Sequence, residues 1–303
     1  MSSSIVQTEK KNIELPSAKT LGVSKHDDLQ SLHIPPATAL LKKNPHTRDE
    51  HIQFFDEGHI YDVDGNRDFM SCTTFVHQFF EPFDADTVIN RMMSNPLKWK
   101  KSKYYGQTPE EIKDGWTHKG NYASHHGTIL HGCIEYFYNN CVSEFPYSVP
   151  DIFHSQFKSF HEKVVVANQY IPYRTEWTVY DKEHELAGSI DMLFQPHEDD
   201  PNTLLIYDWK RSPKLSEKSN RYRNMSVPLE HLPDTSYWHY CMQLNIYRHI
   251  LEANYGKNIA GMFLVGMHPD MKGFQQEKVP LLNTEVEEIF ALRKKVIDSN
   301  NEV

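Results

Sequence analysis

Between Leu204 and Trp209 the chain reads Leu-Leu-Ile-Tyr-Asp-Trp, and Lys210 follows. A run so nearly all apolar predicts a strand covered on both faces, and hence a central one in a sheet. Burying an unpaired charge is expensive, yet this strand holds Asp208 and Lys210. Two residues apart, they point to the same face. A second strand predicted over Leu186 to Phe194 carries a carboxylate in its middle, Asp191.

The flanking pattern supplies the rest of the fold. Tyr173 to Asp181 alternates as a strand, and Asp181 to Glu185 is a polar turn. A long helix around Met242 to Asn254 stops at Gly256; Ile259 to Met267 is a further buried strand and Val286 to Ile297 a final helix. Upstream, Asp64-Gly65 is a hairpin signal joining two short strands that begin near His51. Asp84 reads as the N-cap of a helix with Val88, Ile89, Met92 and Met93 on one side. Thr108-Pro109-Glu110-Glu111 is a capping box with proline at the first helical position. Another helix follows Gly127, and residues 151–168 read as an amphipathic one with Phe153, Phe157, Phe160 and Val164 at helical spacing. Helices around a mixed central sheet make an α/β domain.

Residues 1–48 are rich in Ser, Lys, Pro and Thr, show no sustained periodicity, and read as a flexible tail. Residues 49–303 then form a single domain, with a hairpin and helical region over 49–170 and a core carrying the three charges over 171–303. At 303 residues, 39% of them hydrophobic, the chain can bury such a core.

Two carboxylates and an ammonium converging at a sheet edge suit phosphodiester chemistry. Carboxylates hold Mg²⁺ or Mn²⁺ against a phosphate, and the metal lowers the pKa of an attacking water. The lysine orients that water or neutralises charge developing on the phosphorane-like transition state. A buried Asp–Lys ion pair without catalysis accounts for the same residues. His131 and Glu135 are i, i+4 on a helix and share one face, where imidazole and carboxylate can complete a divalent-metal shell. An ordinary surface hydrogen bond explains that pair as simply. Gln243 and Tyr247 have the same spacing on the helix after the Asp-x-Lys strand, where inward packing of Leu244, Tyr247 and Leu251 needs only amphipathicity.

Taken in order, the motifs resemble a known family. G-T-x-x-H-x-x-x-E (Gly127 to Glu135), G-x-x-D (Gly188 to Asp191), D-W-K (208–210) and Q-x-x-x-Y (Gln243 to Tyr247) are similar to the RecB-type nucleases of the PD-(D/E)XK superfamily. The branch most like it holds viral and phage exonucleases and the mitochondrial genome-maintenance exonuclease, which share a segment similar to HIYDVDGNRDFMSCTTFV. The resemblance spans about residues 55–268. It implies a restriction-endonuclease-like α/β core in which His131, Asp191, Asp208 and the Trp209 carbonyl ligate the metal and Lys210 is the catalytic lysine. Gln243 and Tyr247 position that lysine or the DNA strand. Glu135 and Glu176 support the ligands or a second metal ion, with Glu176 also counted among the groups facing substrate. Aspartate at 208 replaces the family's more usual glutamate and shortens the reach by one methylene. The cysteine pattern of the iron–sulfur branch is absent, so no cluster is expected.

Lys98, Lys100, Lys101 and Lys103, interleaved with Trp99, Tyr104 and Tyr105, combine cations and aromatics in the way that tracks a strand backbone and stacks bases. Lys210, Arg211, Lys214, Lys218, Arg221 and Arg223 form a second basic cluster, and a solvated loop explains either one. Arg211 and Thr128 join the first set as expected substrate-binding residues. A net charge of −9 does not advertise nucleic-acid binding, but a local basic groove can act on an acidic protein.

The expected partner is DNA with a single-stranded stretch or a free end. The expected activity is an exonuclease of replication, recombination or repair, a viral one included. Rivals are a structure-selective endonuclease on DNA or RNA, and a non-catalytic nucleic-acid-binding protein that kept the fold. No HExxH appears among the 18 histidines, which sets a zinc hydrolase aside. Four cysteines without a CxxC pair read as free thiols in a reducing compartment. Without an apolar signal core or a run of about 18 apolar residues, neither secretion nor a membrane span is expected. The cytoplasm, the nucleus or a viral replication site is.

Overall fold

The computed structural model describes residues 32–219 and 223–301. Arg221 of the second basic cluster, and residues 1–31 of the expected tail, lie outside them. No helix among the described residues is long and apolar enough to cross a membrane.

The sheet has eight strands: β1 (Ile52–Phe55), β2 (Ile60–Val63), β3 (Asn66–Ser71), β4 (Ile171–Asp181), β5 (Leu186–Gln195), β6 (Thr203–Lys210), β7 (Asn258–Gly266) and β8 (Gln275–Lys278). The helices are α1 (Ala39–Lys43), α2 (Cys72–His77), α3 (Ala85–Met93), α4 (Pro96–Trp99), α5 (Pro109–Tyr138), α6 (Lys158–Phe160), α7 (Ser236–Asn254) and α8 (Asn283–Asn301). Strand β6, helix α7 and strand β7 make a parallel crossover unit, and β8 returns antiparallel to β7. The result is the expected α/β class, a mixed sheet with helices on both faces.

β5 is the hinge of the sheet. One edge pairs with β4 along almost its whole length. The other edge is shared: β3 pairs in parallel at Leu186 and Ala187, and β6 pairs antiparallel from Met192 to Phe194. Between them, from Gly188 to Asp191, neither neighbour joins the ladder.

β6 shows why the apolar run had to be central. Leu204 and Ile206 enter a core built with α2, α7 and α8, including Phe75, Leu244, Ile250 and Phe290. Leu205, Tyr207 and Trp209 enter the opposite core with Leu130, Ile134, Phe157 and Phe160. Both faces are covered, so an alternating strand reads as continuous hydrophobicity.

The structure departs from the sequence reading in several places. Residues 32–48 of the expected tail are part of the domain. Leu40 is buried, the Asn44 side chain donates to the Tyr173 carbonyl, and the Asp49 carboxylate accepts from both Arg174 and Trp177 at 2.8 Å. A few anchors separated by polar residues hold this segment, which is why it has no period. The first hairpin is a three-stranded meander, and Asp64 and Gly65 both take positive φ (52° and 87°), as a tight primed turn requires. The capping box at Thr108 forms, but its helix does not restart after Gly127: α5 is one 30-residue helix. The segment over 151–166 is not a regular helix, since π-turns at Phe153–Phe157 and His161–Val166 flank the short α6. All four cysteines are free.

Candidate active site

Asp191 lies where β5 and β6 part. The last rung joining them is Met192↔Tyr207, so the next backbone N–H of β6 has no strand to donate to. Asp191 Oδ2 receives it, accepting from Trp209 N at 2.8 Å. The carboxylate thus takes the place of a strand and holds the fork open.

On its other edge, β5 faces Glu176 of β4. The rungs Thr175↔Met192 and Trp177↔Ile190 flank this position, and Glu176 itself has φ +44°. A non-glycine residue there costs on the order of 1–3 kcal/mol and persists only where its surroundings enforce it. The register, unshifted on either side, sets Glu176 directly across from Asp191 on the same face of the sheet. His131 of α5 completes the group, its Nδ1 3.5 Å from Asp191 Oδ2 and 3.9 Å from Glu176 Oε1. One ligand atom from each residue lies within 4.8 Å of the others. His131 Nε2 is 2.8 Å from the Trp209 carbonyl. That oxygen can only accept, so Nε2 carries a proton, and Nδ1 is the ring nitrogen turned to the carboxylates.

Asp208 and Lys210 share the face toward α7. Asp208 is 3% exposed, with Oδ2 2.7 Å from Lys210 Nζ, and the ammonium lies 4.6 Å from the centre of the Tyr240 ring. Burial pushes the Asp208 carboxyl up to about 7, against the pull of Lys210 and with the help of Asp191. Burial alone would discharge Lys210, but Asp208 and Asp191 raise it and keep it an ammonium. Glu176 is raised well above the carboxylate range, by desolvation and then by Asp191, Glu135 and Asp208. Three acidic groups, Glu176, Asp191 and Asp208, share one lysine and are short of positive charge. A cation beside His131, Glu176 and Asp191 meets that deficit, and an imidazole nitrogen with carboxylate oxygens is a donor set for a divalent metal. The residues fit a divalent metal.

Gln243 and Tyr247 stand behind the fork. Gln243 Nε2 donates to the Tyr247 hydroxyl at 3.1 Å and to Thr73 Oγ1 of α2 at 3.2 Å. The hydroxyl-bearing edge of Tyr247 abuts Gly188: a Cβ there would come 2.7 Å from Tyr247 Cε1. This gives two of the motif residues a steric reason, since only glycine lets the ring approach β5 three residues before Asp191.

Other expected site residues lie elsewhere. Glu135 is buried and turned to the N-terminal segment, with Oε1 accepting from Ala37 N at 2.9 Å, and burial lifts its carboxyl to about 7. Thr128 Oγ1 donates to Ser124 O within its own helix. Arg211 sits 5.7 Å from the Tyr122 ring centre. Lys98, Lys100, Lys101 and Lys103 are exposed on α4 and the turn after it, with Lys103 over the Tyr104 ring at 4.9 Å. Tyr104 is anchored by Trp116, whose Nε1 donates to the tyrosine hydroxyl at 2.7 Å, while Tyr105 is 56% exposed. Trp116 and His131 are fifteen residues apart on α5, about 22 Å, so the structure does not bring these lysines to the carboxylate cluster. Sequence reasoning missed Tyr240 and Thr73; it gave Glu176 as a support for the ligands or a second metal ion and as a substrate contact, and the structure sets it beside His131 and Asp191. A glutamate in the middle of an alternating strand was the available signal.

No protein-family model and no curated protein matches the chain. Among solved structures, a Eubacterium rectale protein provisionally described as an exonuclease is 14% identical, covers 58% of this chain and 68% of its own, and has a TM-score of 0.36. SSO0001 is 16% identical, covers 85% of this chain and 84% of its own, and has a TM-score of 0.31. At these values neither bears on the fold or the function of the chain.

Proposed function

We propose that the chain is a metal-dependent nuclease of the PD-(D/E)XK type, RecB-like, which removes nucleotides from DNA ends or single-stranded DNA in replication, recombination or repair. One observation carries the reading: His131, Glu176 and Asp191 converge with the Asp208–Lys210 pair where β5 and β6 separate. His131, Glu176 and Asp191 would hold the metal, with Asp208 and the Trp209 carbonyl alongside. When bound, the cation supplies an acidified water and neutralises phosphate charge. Lys210, kept charged by two carboxylates, donates to the attacking water or to a phosphoryl oxygen. Asp208 fixes its direction, and Tyr240 excludes solvent from one side. Gln243 and Tyr247 keep α7 against β5, so that the lysine and Asp191 hold their spacing.

The test is degradation of end-labelled single- and double-stranded DNA with Mg²⁺ or Mn²⁺. Activity in wild type that is absent from Asp191→Ala and Lys210→Ala supports the reading; DNA digestion by those variants at the wild-type rate sinks it. A covalently closed circle separates the exonuclease from a structure-selective endonuclease, because only the latter cuts it. Binding without turnover under every divalent ion would point to a non-catalytic relative.

A further inference from the structure

Two open cavities adjoin the face of α7 that carries Tyr240. One, of about 290 Å³, is lined by Thr73, His77, Tyr240 and Gln243 among others. The second, of about 980 Å³, runs on toward Phe80, Phe83 and Ser212. They share His77, Ser236 and His239, so they form one groove. Its inner end is fixed at the candidate active site: Tyr240 carries the Lys210 ammonium on its ring, and Gln243 holds Tyr247 against β5. Ser212, on the outer wall, is two residues past Lys210.

The chemistry of this groove is unlike that of the lysine-rich turn. Among the described residues its cations are already matched: Lys214 lies 3.6 Å from Glu217, and Arg223 lies 3.2 Å from Glu81 and 3.6 Å from Asp234. Phosphates gain little from walls neutralised in this way. What the groove offers is ring faces. His77 and His239 lie 5.4 Å apart, Phe80 packs on His239, and Phe83 is 64% exposed. Burial holds the His239 imidazole down at about 4, so at neutral pH it is an uncharged face.

We infer that this groove binds the bases of a single nucleic-acid strand on one side of the scissile phosphate, by stacking on His77, Phe83 and Tyr240. The inference rests on the nuclease reading of the adjoining site and adds to it the path of the strand. A duplex would keep its bases paired and away from these rings, whereas a single strand presents them. Every base has a π-face, so recognition here is indifferent to sequence.

The experiment uses the full chain and a double variant, His77→Ala/Phe83→Ala. Both side chains are exposed, so the substitution spares the core. Binding of a fluorescent oligodeoxythymidylate is measured in EDTA, alongside binding of an abasic oligomer of the same length. Hydrolysis of bis(p-nitrophenyl) phosphate is measured separately with Mn²⁺. Wild type should prefer the thymidylate to the abasic strand, and the variant should bind the thymidylate about tenfold more weakly and lose that preference. Its rate on the small diester, which is too short to reach the groove, should be unchanged. Equal thymidylate binding by the two proteins, or a parallel loss of diester hydrolysis, overturns the groove. Failure of wild type to hydrolyse the small diester would instead remove the nuclease reading, while the binding comparison still decides the groove.

Discussion

Asp191 and Asp208 sit on neighbouring strands just past the last rung that joins β5 to β6, yet they meet different company. Asp208 is matched within its own strand, its carboxylate 2.7 Å from Lys210 Nζ. Asp191 faces a second acidic group, Glu176, and the Nδ1 atom of His131. The pair carries its own counter-charge. The cluster has no lysine or arginine of its own, and a divalent cation would fit it. A single fork in a sheet can therefore hold one charge arrangement that stabilises the chain and another that costs stability and gives it a use.

The largest effects should separate these two halves. Asp191→Asn removes a ligating oxygen and a repulsive charge. Activity should fall by at least about 10³-fold, while the melting temperature in EDTA stays level or rises. Lys210→Met should lose comparable activity, but it also strands Asp208 in the core. Removing one partner of a buried pair costs about 3–5 kcal/mol, visible as a large fall in urea midpoint. Replacing both, Asp208→Leu with Lys210→Met, should recover most of that stability and none of the activity. If Asp191→Asn destabilises the metal-free protein as much as Lys210→Met does, the contrast between cluster and pair is wrong.

A pH titration sharpens the cluster side. Burial raises the Glu135 carboxyl to about 7, above its value in an unfolded chain. A folded state that binds the proton more tightly is favoured at low pH, and loses that advantage as pH rises through the folded pKa. Stability in EDTA should therefore decline between about pH 4.5 and 7, with at most about 3 kcal/mol from this residue. Glu135→Gln keeps an acceptor for Ala37 N and should flatten its share of the decline, as followed by thermal melts at several pH values. An unchanged slope would mean that Glu135 is not held protonated by burial.

The sheet was the most legible part of the chain, because β4, β5 and β6 are long strands of 11, 10 and 8 residues rich in apolar side chains. Apolar continuity marked β6 as central, and the same run exposed Asp208 and Lys210 as exceptions. Strand β8, Gln-Gln-Glu-Lys, was not legible: an edge strand needs no buried face and so shows no apolar signal. Residues 32–48 were read as a tail because their order comes from long-range partners, Glu135, Asn139, Tyr173 and Tyr180, that no local pattern reports. Glu176 was legible only in part. Strand alternation and register set it across from Asp191, but no local pattern reports the His131 ring that joins them. Gly188 is the opposite case. A motif glycine without a turn was unexplained by the sequence, and contact with Tyr247 explains it.

That contact yields the next prediction. Gly188→Ala puts a methyl 2.7 Å from the Tyr247 ring, and overpacking of this kind costs about 1–3 kcal/mol. Because Tyr247 carries Gln243 with it, kcat should fall along with the melting temperature. Combining Gly188→Ala with Tyr247→Leu should cost less than the sum of the two single changes, since the second makes room for the first. Strict additivity in a double-mutant cycle would mean that the ring does not set the position of β5.

The smallest effect belongs to the lysines farthest from the fork. Lys98, Lys100 and Lys101 are exposed and pair with no carboxylate among the described residues. They lie on α4 and the turn after it, away from the carboxylate cluster, so any part they take in the proposed DNA binding is electrostatic and not chemical. Each lysine that meets a phosphate releases a counterion, worth about 0.7 in the slope of log affinity against log salt for a single strand. Lys98→Ala/Lys101→Ala should therefore raise KM modestly at low salt and lower that slope by about 1.4, with kcat unchanged. The measurement is a salt series of KM on a single-stranded substrate. A slope equal to that of wild type would take the turn out of the DNA path and leave the aromatic groove beside Tyr240 as the only route the strand follows away from the fork.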